Sequence, residues 1–524
     1  MSGNKYRILA CTLAFVFILS AITACKPKTS ETASSETSSL AESSESNGSS
    51  EDISSDSSIT GESSDVISGS GQSSAITSNT GTSSAASSTV GPKVYPNLKG
   101  MTIKYYTYMY NEETEKKTWA GRQGIERIAE IEKILNCKVV RGSLDFNTLF
   151  QQLIAGDNVC DVVSIGGPHL VPSFMKNNCL APLDNLGIDF KEAKFDPAVT
   201  KAMNYGGKQY GMTGKPGKIP SVNFVMFYNK TLLTKLGITE DLYKTQANGQ
   251  WTWAKFEALC KQITRDTNND GVTDIWGTTE GNAMYPLAHQ LMASNKGDWI
   301  KRTSDNPITY VFTAGSDPNA FEALKFWQKL AYTDKVVDLG LAGETGSFIQ
   351  GKVGFMANYL NRASIPSMVM GMKDTYGILM MPKGPKASDY ISQLQYYGAF
   401  GILTNAIKGD DANHTKAKGF AAFIDLLCGS GKPDPKGDTI EELQLESMVR
   451  DQGSLNTINQ LRAHQVESEN QIGWDVISGL NKFDDTSWYA GMGKIAQGED
   501  PASVIQAHIN QYNEILKTQW SFAK

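Results

Sequence analysis

The sequence predicts an α/β protein with mostly parallel sheets that is large enough for two domains. Its 524 residues supply enough apolar side chains for two cores. In the first part of the folded region, stretches with the alternation of a strand are followed by stretches with the apolar spacing of a helix. Strands that alternate with helices indicate parallel pairing through helical crossovers.

These elements can be placed one after another along the chain. Met101–Tyr108, residues 138–141 and residues 159–165 are predicted strands, and residues 124–135 and Phe146–Ile154 are predicted helices. Ligands of parallel sheets bind at the carboxyl ends of the strands. This rule selects candidate ligand-binding residues around the ends of the first and last of these strands: Tyr106, Tyr108, Asn111, Glu112, Ser164, Gly167 and His169.

The charge distribution argues against a nucleic-acid-binding protein, which would carry a basic face. The whole chain has 49 basic and 55 acidic residues. Residues 1–25 contain two of the basic residues, and residues 26–92 contain two basic and nine acidic residues. The remaining 45 basic and 46 acidic residues leave the body almost neutral. Such a body suits an uncharged ligand.

Residues 1–24 are predicted to be a lipoprotein signal peptide. Lys5 and Arg7 precede a short apolar run, as in export signals. The run ends in Ile22-Thr23-Ala24-Cys25, which resembles a bacterial lipobox. The resemblance implies lipid attachment at Cys25, cleavage before it, and a position on the outer face of the cell membrane, as in Gram-positive bacteria. The alternative is an ordinary secretory signal followed by an incidental cysteine.

Residues 25–95 are predicted to form a disordered tether behind the lipidated cysteine. Residues 26–92 contain 25 serines and no aromatic residue. Such a composition cannot bury enough apolar surface to offset the entropy lost on ordering. The tether would hold the folded body away from the membrane.

A colinear series of motifs occupies the body. It comprises Tyr205-Gly-Gly-Lys-Gln-Tyr-Gly211, Phe224-Val-Met-Phe-Tyr-Asn-Lys230, Trp251-Thr-Trp253, Gly351-Lys-Val-Gly-Phe-Met356 and Tyr376-Gly-Ile-Leu-Met-Met-Pro382. In this order the motifs resemble the extracellular solute-binding proteins of carbohydrate ABC importers, the family that includes maltose-binding protein. The resemblance extends from about Lys99 to the C-terminus. We assign Trp251 and Trp253 to packing, because they open a helix.

The resemblance implies a type II periplasmic-binding-protein-like fold with two α/β lobes and a ligand cleft at the hinge. The first lobe would comprise residues 96–222 and 395–450, and the second residues 223–394 and 455–524. The implied function is to capture a carbohydrate, an oligosaccharide in particular, and to deliver it by lobe closure to an ABC permease. We expect a monomer that is not an enzyme and requires no cofactor.

Motif positions in the family imply further ligand-binding residues. Tyr359, Trp488 and Tyr489 fall where aromatic residues stack on sugar rings, although each could instead pack in the core. Polar or aromatic contacts are implied for Asn223, at the first crossing between the lobes, and for Glu280, Asn282 and Tyr285, which follow a strand.

A loop in the second lobe has the spacing of a calcium site. Four oxygen-bearing side chains occupy positions 1, 3, 5 and 9 of a calcium loop: Asp266, Asn268, Asp270 and Asp274. The main-chain carbonyl of Val272 occupies position 7. Position 12 is Gly277 instead of the usual glutamate. The pattern predicts either structural calcium or a turn stabilised by its own Asp and Asn side chains.

Two other functions share these sequence features. A secreted, lipid-anchored glycan-active enzyme would also have a signal, a tether and aromatic residues in a cleft, but it would need a pair of carboxylates around the sugar. A receptor for peptides or other small ligands could use the same fold. The five cysteines of the body are predicted to be mostly buried free thiols, although export would permit a disulfide.

Overall fold

The computed structural model of the protein describes residues 93–520 except residues 109, 118, 167–173, 215–222, 281–285, 306, 341–344, 366, 394–398, 430–447, 462 and 467–486. Within these residues the strands are β1 Met101–Tyr108, β2 Cys137–Leu144, β3 Val162–Ile165, β4 Asn204–Tyr205, β5 Lys208–Gln209, β6 Phe224–Asn229, β7 Trp276–Thr279, β8 Ile300–Asp305, β9 Ile308–Phe312, β10 Val337–Asp338, β11 Val353–Tyr359, β12 Tyr376–Leu379, β13 Ser392–Gln393, β14 Ala399–Ile402 and β15 Gln465–Val466.

The α-helices lie between these strands and after them. In the same residues they are α1 Glu112–Lys117, α2 Trp119–Leu135, α3 Phe146–Ile154, α4 Pro197–Ala202, α5 Lys230–Lys235, α6 Leu242–Ala247, α7 Trp253–Ile263, α8 Pro286–Ser294, α9 Pro318–Gln328, α10 Gly346–Ile349, α11 Thr415–Leu427, α12 Gln452–Gln460, α13 Trp488–Ala496 and α14 Pro501–Ile515. The five predicted elements are confirmed. The first strand and α3 have the predicted bounds, and the other three differ by a few residues at one or both ends.

The first sheet has the strand order β14–β3–β1–β2. Strand β1 runs parallel to both β2 and β3, and β14 closes the sheet antiparallel to β3. The carboxyl ends of β1, β2 and β3 therefore share one edge. Tyr105 points from β1 into the core, where its ring contacts Phe400 and Phe423. Asp145, directly after β2, is the N-cap of α3, and its carboxylate accepts the Thr148 N–H at 2.9 Å.

The second sheet has the order β10–β7–β11–β6–β12. Strands β7, β10, β11 and β12 run in one direction, and β6 is inserted antiparallel between β11 and β12. All six residues of β6 are buried, as expected for a central strand with helices on both faces. Trp251 and Trp253 are buried as assigned, and the Trp251 indole donates to the Met380 carbonyl at 2.8 Å.

Three small sheets supplement the two large ones in the described residues. Strands β4 and β5 form one hairpin, and β8 and β9 form another. Strand β13 pairs in parallel with β15. The strands of the first large sheet lie within the residue ranges predicted for the first lobe, and those of the second large sheet lie within the ranges predicted for the second lobe. The lobe boundaries themselves stay a prediction.

The cysteines of the body are free thiols. Cys160, Cys179, Cys260 and Cys428 are buried, and Cys137 is half-buried. Burial raises the pKa of the Cys137 thiol to about 11, so this thiol is protonated at neutral pH and poorly reactive.

Close packing of α7 on β7 depends on Gly277. A Cβ atom added at Gly277 would lie 2.5 Å from the Cα atom of Cys260 in α7. We expect Gly277→Ala to lower the free energy of unfolding by about 1–3 kcal/mol, measured by urea denaturation, because the helix must shift away from the strand. The control is Gly124→Ala inside α2, where an added Cβ meets nothing within 4 Å. Equal stabilities of the two variants would contradict this packing.

Candidate functional site

The candidate site is built at the carboxyl edge of the second sheet. Because β6 runs against its neighbours, its first residue, Phe224, pairs with Tyr359 at the end of β11. Strand β7 ends at Thr279, which pairs with Met356 of β11. The predicted residues Asn223, Glu280 and Tyr359 are thereby brought to one edge, which is where open α/β sheets bind their ligands.

The Glu280 side chain forms its hydrogen bonds with the protein backbone. Its carboxylate accepts the backbone N–H groups of Leu287 and Ala288 at 3.1 and 3.0 Å, in the first turn of α8. The side chain is buried, and burial raises its pKa to about 8 in spite of these two hydrogen bonds. In this structure Glu280 stabilises the start of α8 and is largely uncharged at neutral pH.

Asn223 belongs to a buried polar cluster at the same edge. Its amide nitrogen donates to the Ser392 hydroxyl at 2.6 Å, and its carbonyl oxygen in the main chain accepts the Leu360 N–H at 3.0 Å. Next to Ser392, the Gln393 side-chain oxygen accepts a hydrogen bond from Gln290 at 3.0 Å. The Asn223 Oδ1 and Gln393 Nε2 atoms are buried without a hydrogen-bond partner in the described structure. An acceptor and a donor are thus left for other partners.

The Tyr359 ring packs beside the Phe224 ring and the Arg362 guanidinium. Its ring centre lies 4.2 Å from that of Phe224, and the Arg362 guanidinium carbon lies 5.2 Å from the ring centre. The side chain is 7% exposed. Sequence reasoning did not select Arg362 or Gln393. The position of Arg362, three residues after the candidate Tyr359, is a signal in the sequence that could have selected it. The pairing of Gln393 with Gln290 joins residues that are distant in the sequence, so no local pattern predicts it.

Trp488 and Tyr489 begin α13 and are buried. The Trp488 ring is 0% exposed and lies 5.9 Å from Trp299 and 5.1 Å from Phe312, measured between ring centres. Its indole nitrogen donates to the His289 Nε2 atom at 3.1 Å, and the Tyr489 ring meets His289 edge to face. This packing favours the core alternative for both residues. Stacking of either ring on a ligand stays a prediction.

At the carboxyl edge of the first sheet, two candidates have defined surroundings. The half-buried Tyr106 ring lies over Gly142 of the neighbouring strand, where a Cβ atom would come within 2.6 Å of the ring. Glu112 is exposed and pairs with Lys116 at 2.8 Å, and this hydrogen bond lowers the pKa of Glu112. In the same region Asn111 is exposed and Ser164 is half-buried.

Several predicted residues cannot be placed in the site. The side chain of Tyr108 is not among those described, although its backbone ends β1. The remaining four ligand-binding candidates and the lipidation candidate lie outside the described residues: Gly167, His169, Asn282, Tyr285 and Cys25.

In the predicted calcium loop, the Asp and Asn side chains accept hydrogen bonds from the loop itself. The Asp266 carboxylate accepts the N–H groups of Asn269 and Gly271, both at 2.7 Å. The Asp274 carboxylate accepts the Thr267 N–H at 2.8 Å, and Asp270 accepts the N–H of Val272. This is the Asx-turn alternative of the sequence analysis.

No three His, Cys, Asp or Glu side chains lie close enough together to hold a metal ion in the part of the chain that the structure describes. Asp266, Asp270 and Asp274 are included in that part. Calcium binding by this loop therefore stays a prediction, and it would require amide or main-chain oxygens besides the carboxylates.

The raised pKa of Glu280 predicts a pH dependence of stability. Folded Glu280 holds its proton up to about pH 8, whereas the unfolded residue releases it near 4.5. Its contribution is therefore complete below pH 4.5 and is lost as the pH rises to 8. Between pH 5 and pH 8 we expect the wild-type protein to lose at least about 1 kcal/mol more unfolding free energy than Glu280→Gln. The exposed Glu126→Gln serves as control and should follow the wild type. Parallel pH profiles of wild type and Glu280→Gln would contradict a neutral Glu280.

None of the helices in the described residues combines the length and the apolar composition needed to cross a membrane.

Solved structures share this fold. An ABC substrate-binding protein from Listeria monocytogenes, in complex with cycloalternan, has a TM-score of 0.56 at 19% identity, covering 79% of this chain and 98% of that one. A cyclic alpha-maltosyl-1,6-maltose binding protein from Arthrobacter globiformis has a TM-score of 0.57 at 17% identity, with coverages of 80% and 99%. The maltose/maltodextrin-binding domain MalE from Bdellovibrio bacteriovorus, bound to maltotriose, has a TM-score of 0.52 at 16% identity, with coverages of 80% and 99%.

These likenesses establish a type II periplasmic-binding-protein fold, as the sequence predicts. A comparison with curated protein sequences finds no match. The family model of the bacterial extracellular solute-binding proteins matches residues 126–424, which is more than half of the chain. The chain therefore belongs to the bacterial extracellular solute-binding protein family.

Proposed function

We propose that this solute-binding protein is the receptor of an ABC importer and captures an uncharged carbohydrate, specifically an oligosaccharide. The observation that carries the proposal is the chemistry of the second sheet's carboxyl edge. There, the Phe224 and Tyr359 rings, which are almost fully buried in this structure, lie beside Asn223, and Glu280, which is largely uncharged at neutral pH, faces α8. Rings offer flat apolar faces to sugars, and amides hydrogen-bond sugar hydroxyls.

The hydrogen-bonding groups left at this edge fit a neutral ligand. A sugar hydroxyl both donates and accepts, so it could satisfy either the Asn223 Oδ1 acceptor or the Gln393 Nε2 donor. A buried polar atom without a partner costs about 1–3 kcal/mol, and a ligand that supplies the partner recovers that cost. The nearly neutral body, with 45 basic and 46 acidic residues, adds no net attraction for a charged ligand.

The relatives in the solved structures support an oligosaccharide ligand. The Listeria protein was solved with cycloalternan and the Bdellovibrio protein with maltotriose, and the Arthrobacter protein binds cyclic alpha-maltosyl-1,6-maltose. At 16–19% identity these proteins support the class of ligand for this chain and leave its length and linkage open.

For the mechanism, we place the ligand between the carboxyl edges of the two sheets. The first lobe would comprise residues 96–222 and 395–450, and the second residues 223–394 and 455–524. Closure would proceed about the segments predicted to cross between the lobes near residues 220–223 and 393–397, of which Asn223 and Gln393 are described. The closed, liganded protein, acting as a monomer, would then dock on the permease.

We expect calorimetry to detect binding of at least one neutral oligosaccharide from a panel that includes maltotriose and cyclic glucans. Because recognition would rest on rings and hydrogen bonds, affinity should change little between low and high salt. An acidic trisaccharide and a tripeptide serve as controls. Chromatography of the incubated saccharide should show no product. Product formation would identify a glycan-active enzyme instead, and binding of the tripeptide alone would identify a peptide receptor.

Anchoring by a lipid on Cys25 is the second part of the proposal, and it rests on the lipobox-like sequence Ile22-Thr23-Ala24-Cys25. The protein would then sit on the outer face of the cell membrane, with the serine-rich stretch as its tether. We expect Cys25→Ser to abolish lipid labelling and to release the protein from membranes or leave it unprocessed. Cys137→Ser, in the body, is the control. Undiminished lipid labelling of Cys25→Ser would exclude this residue as the anchor.

A further inference from the structure

Tyr110 occupies the carboxyl edge of the first sheet, two residues after β1 ends at Tyr108. Its side chain is half-buried. The residue lies between the sequence candidates Tyr108 and Asn111, but sequence reasoning did not select it. Its position is that of a ligand-contacting residue in an open α/β sheet.

The Tyr110 ring is held by a charged side chain from the neighbouring strand. The Arg141 guanidinium carbon in β2 lies 4.2 Å from the centre of the ring, which is the distance of a stacked cation–π contact. The Arg141 side chain is only 15% exposed. A partly desolvated guanidinium against one aromatic ring restricts the orientations that the ring can adopt.

Arg141 is itself fixed by Glu115 of α1. Its two terminal nitrogens donate to the two carboxylate oxygens of Glu115 at 2.5 and 2.8 Å, which is the bidentate geometry of a strong ion pair. This pairing also neutralises the guanidinium charge. The edge therefore presents an aromatic ring without a net attraction for anions.

The helix that carries Glu115 is packed tightly. A Cβ atom added at Gly121 in α2 would lie 2.2 Å from the Glu115 carbonyl oxygen, so the two helices are in direct backbone contact. Arg122 also donates to the Lys116 carbonyl at 3.1 Å. These successive contacts, from α2 to Glu115, from Glu115 to Arg141 and from Arg141 to Tyr110, restrict the orientations that the Tyr110 ring can adopt.

We propose that Tyr110 is a stacking residue for a pyranose ring, and that Arg141 and Glu115 are positioning residues for it. This inference rests on the proposed function, because it assigns a contact to the same carbohydrate. A tyrosine that is already oriented loses little side-chain entropy on binding, and its ring buries apolar sugar surface. The neutral Arg141–Glu115 pair makes an uncharged sugar the fitting ligand.

The test is calorimetry on the full chain with the neutral oligosaccharide that binds the wild type most tightly in the panel containing maltotriose and cyclic glucans. We expect Tyr110→Ala to weaken binding about ten- to thirtyfold, as truncation of an interface anchor does. Tyr110→Phe keeps the ring and should stay within about twofold of the wild type. Glu115→Gln loosens the support and should weaken binding about two- to tenfold.

A double variant separates positioning from a general structural effect. If Glu115 acts through the ring, Glu115→Gln should cause no further loss of affinity in the Tyr110→Ala background. The controls are Tyr332→Ala, an exposed ring next to Gly498, and Glu240→Gln, which breaks an ion pair with Lys255. Both should bind like the wild type.

The outcomes distinguish this inference from the proposed function. Wild-type affinity of Tyr110→Ala towards a saccharide that the wild type binds would overturn the stacking role and leave the receptor function intact. Additive losses in the double variant would overturn the positioning role of Glu115. If no saccharide in the panel binds the wild type, both the proposed function and this inference fail.

Discussion

The antiparallel insertion of β6 is the constraint on which the site depends. The other strands of the second sheet run in one direction, and β6 runs opposite to them. The first residue of β6 therefore lies at the carboxyl edge, where the other strands end. Phe224 is thereby set against Tyr359, and Asn223 against the main chain of Leu360. The strand is buried throughout, so its position is fixed by packing on both faces.

The polar groups behind this edge are satisfied mainly by one another. Glu280 accepts hydrogen bonds from the first turn of α8, and Gln290 of the same helix donates to Gln393. These contacts join the segments that cross between the predicted lobes to a helix of the second sheet. Because the side chains are buried and uncharged or neutralised, their hydrogen bonds are stronger than they would be in water. The Asn223 Oδ1 and Gln393 Nε2 atoms, which have no partner in the described structure, are two exceptions that a ligand hydroxyl would explain.

Much of the fold could be predicted because its signals are local. The alternation in β1 and the apolar spacing of α3, with Asp145 before it, are properties of consecutive residues, and both elements have the predicted bounds. Motif position also selected Tyr359, which the structure places at the end of β11. The site was harder, because burial depends on contacts distant in sequence. Trp488 matches a stacking position by motif, but its ring packs against Trp299 and Phe312, which precede it by more than 170 residues.

The central claim is that ligand is bound at the carboxyl edges of the two sheets, and hydrogen exchange measured by mass spectrometry tests it most directly. The full chain would be compared with and without a saturating neutral oligosaccharide. Slower exchange is expected in peptides that contain residues 106–112, 223–224 and 359–362, since a bound ligand and its hydrogen bonds exclude water from these edges. Slower exchange confined to other parts of the protein, with these three segments unchanged, would contradict the account.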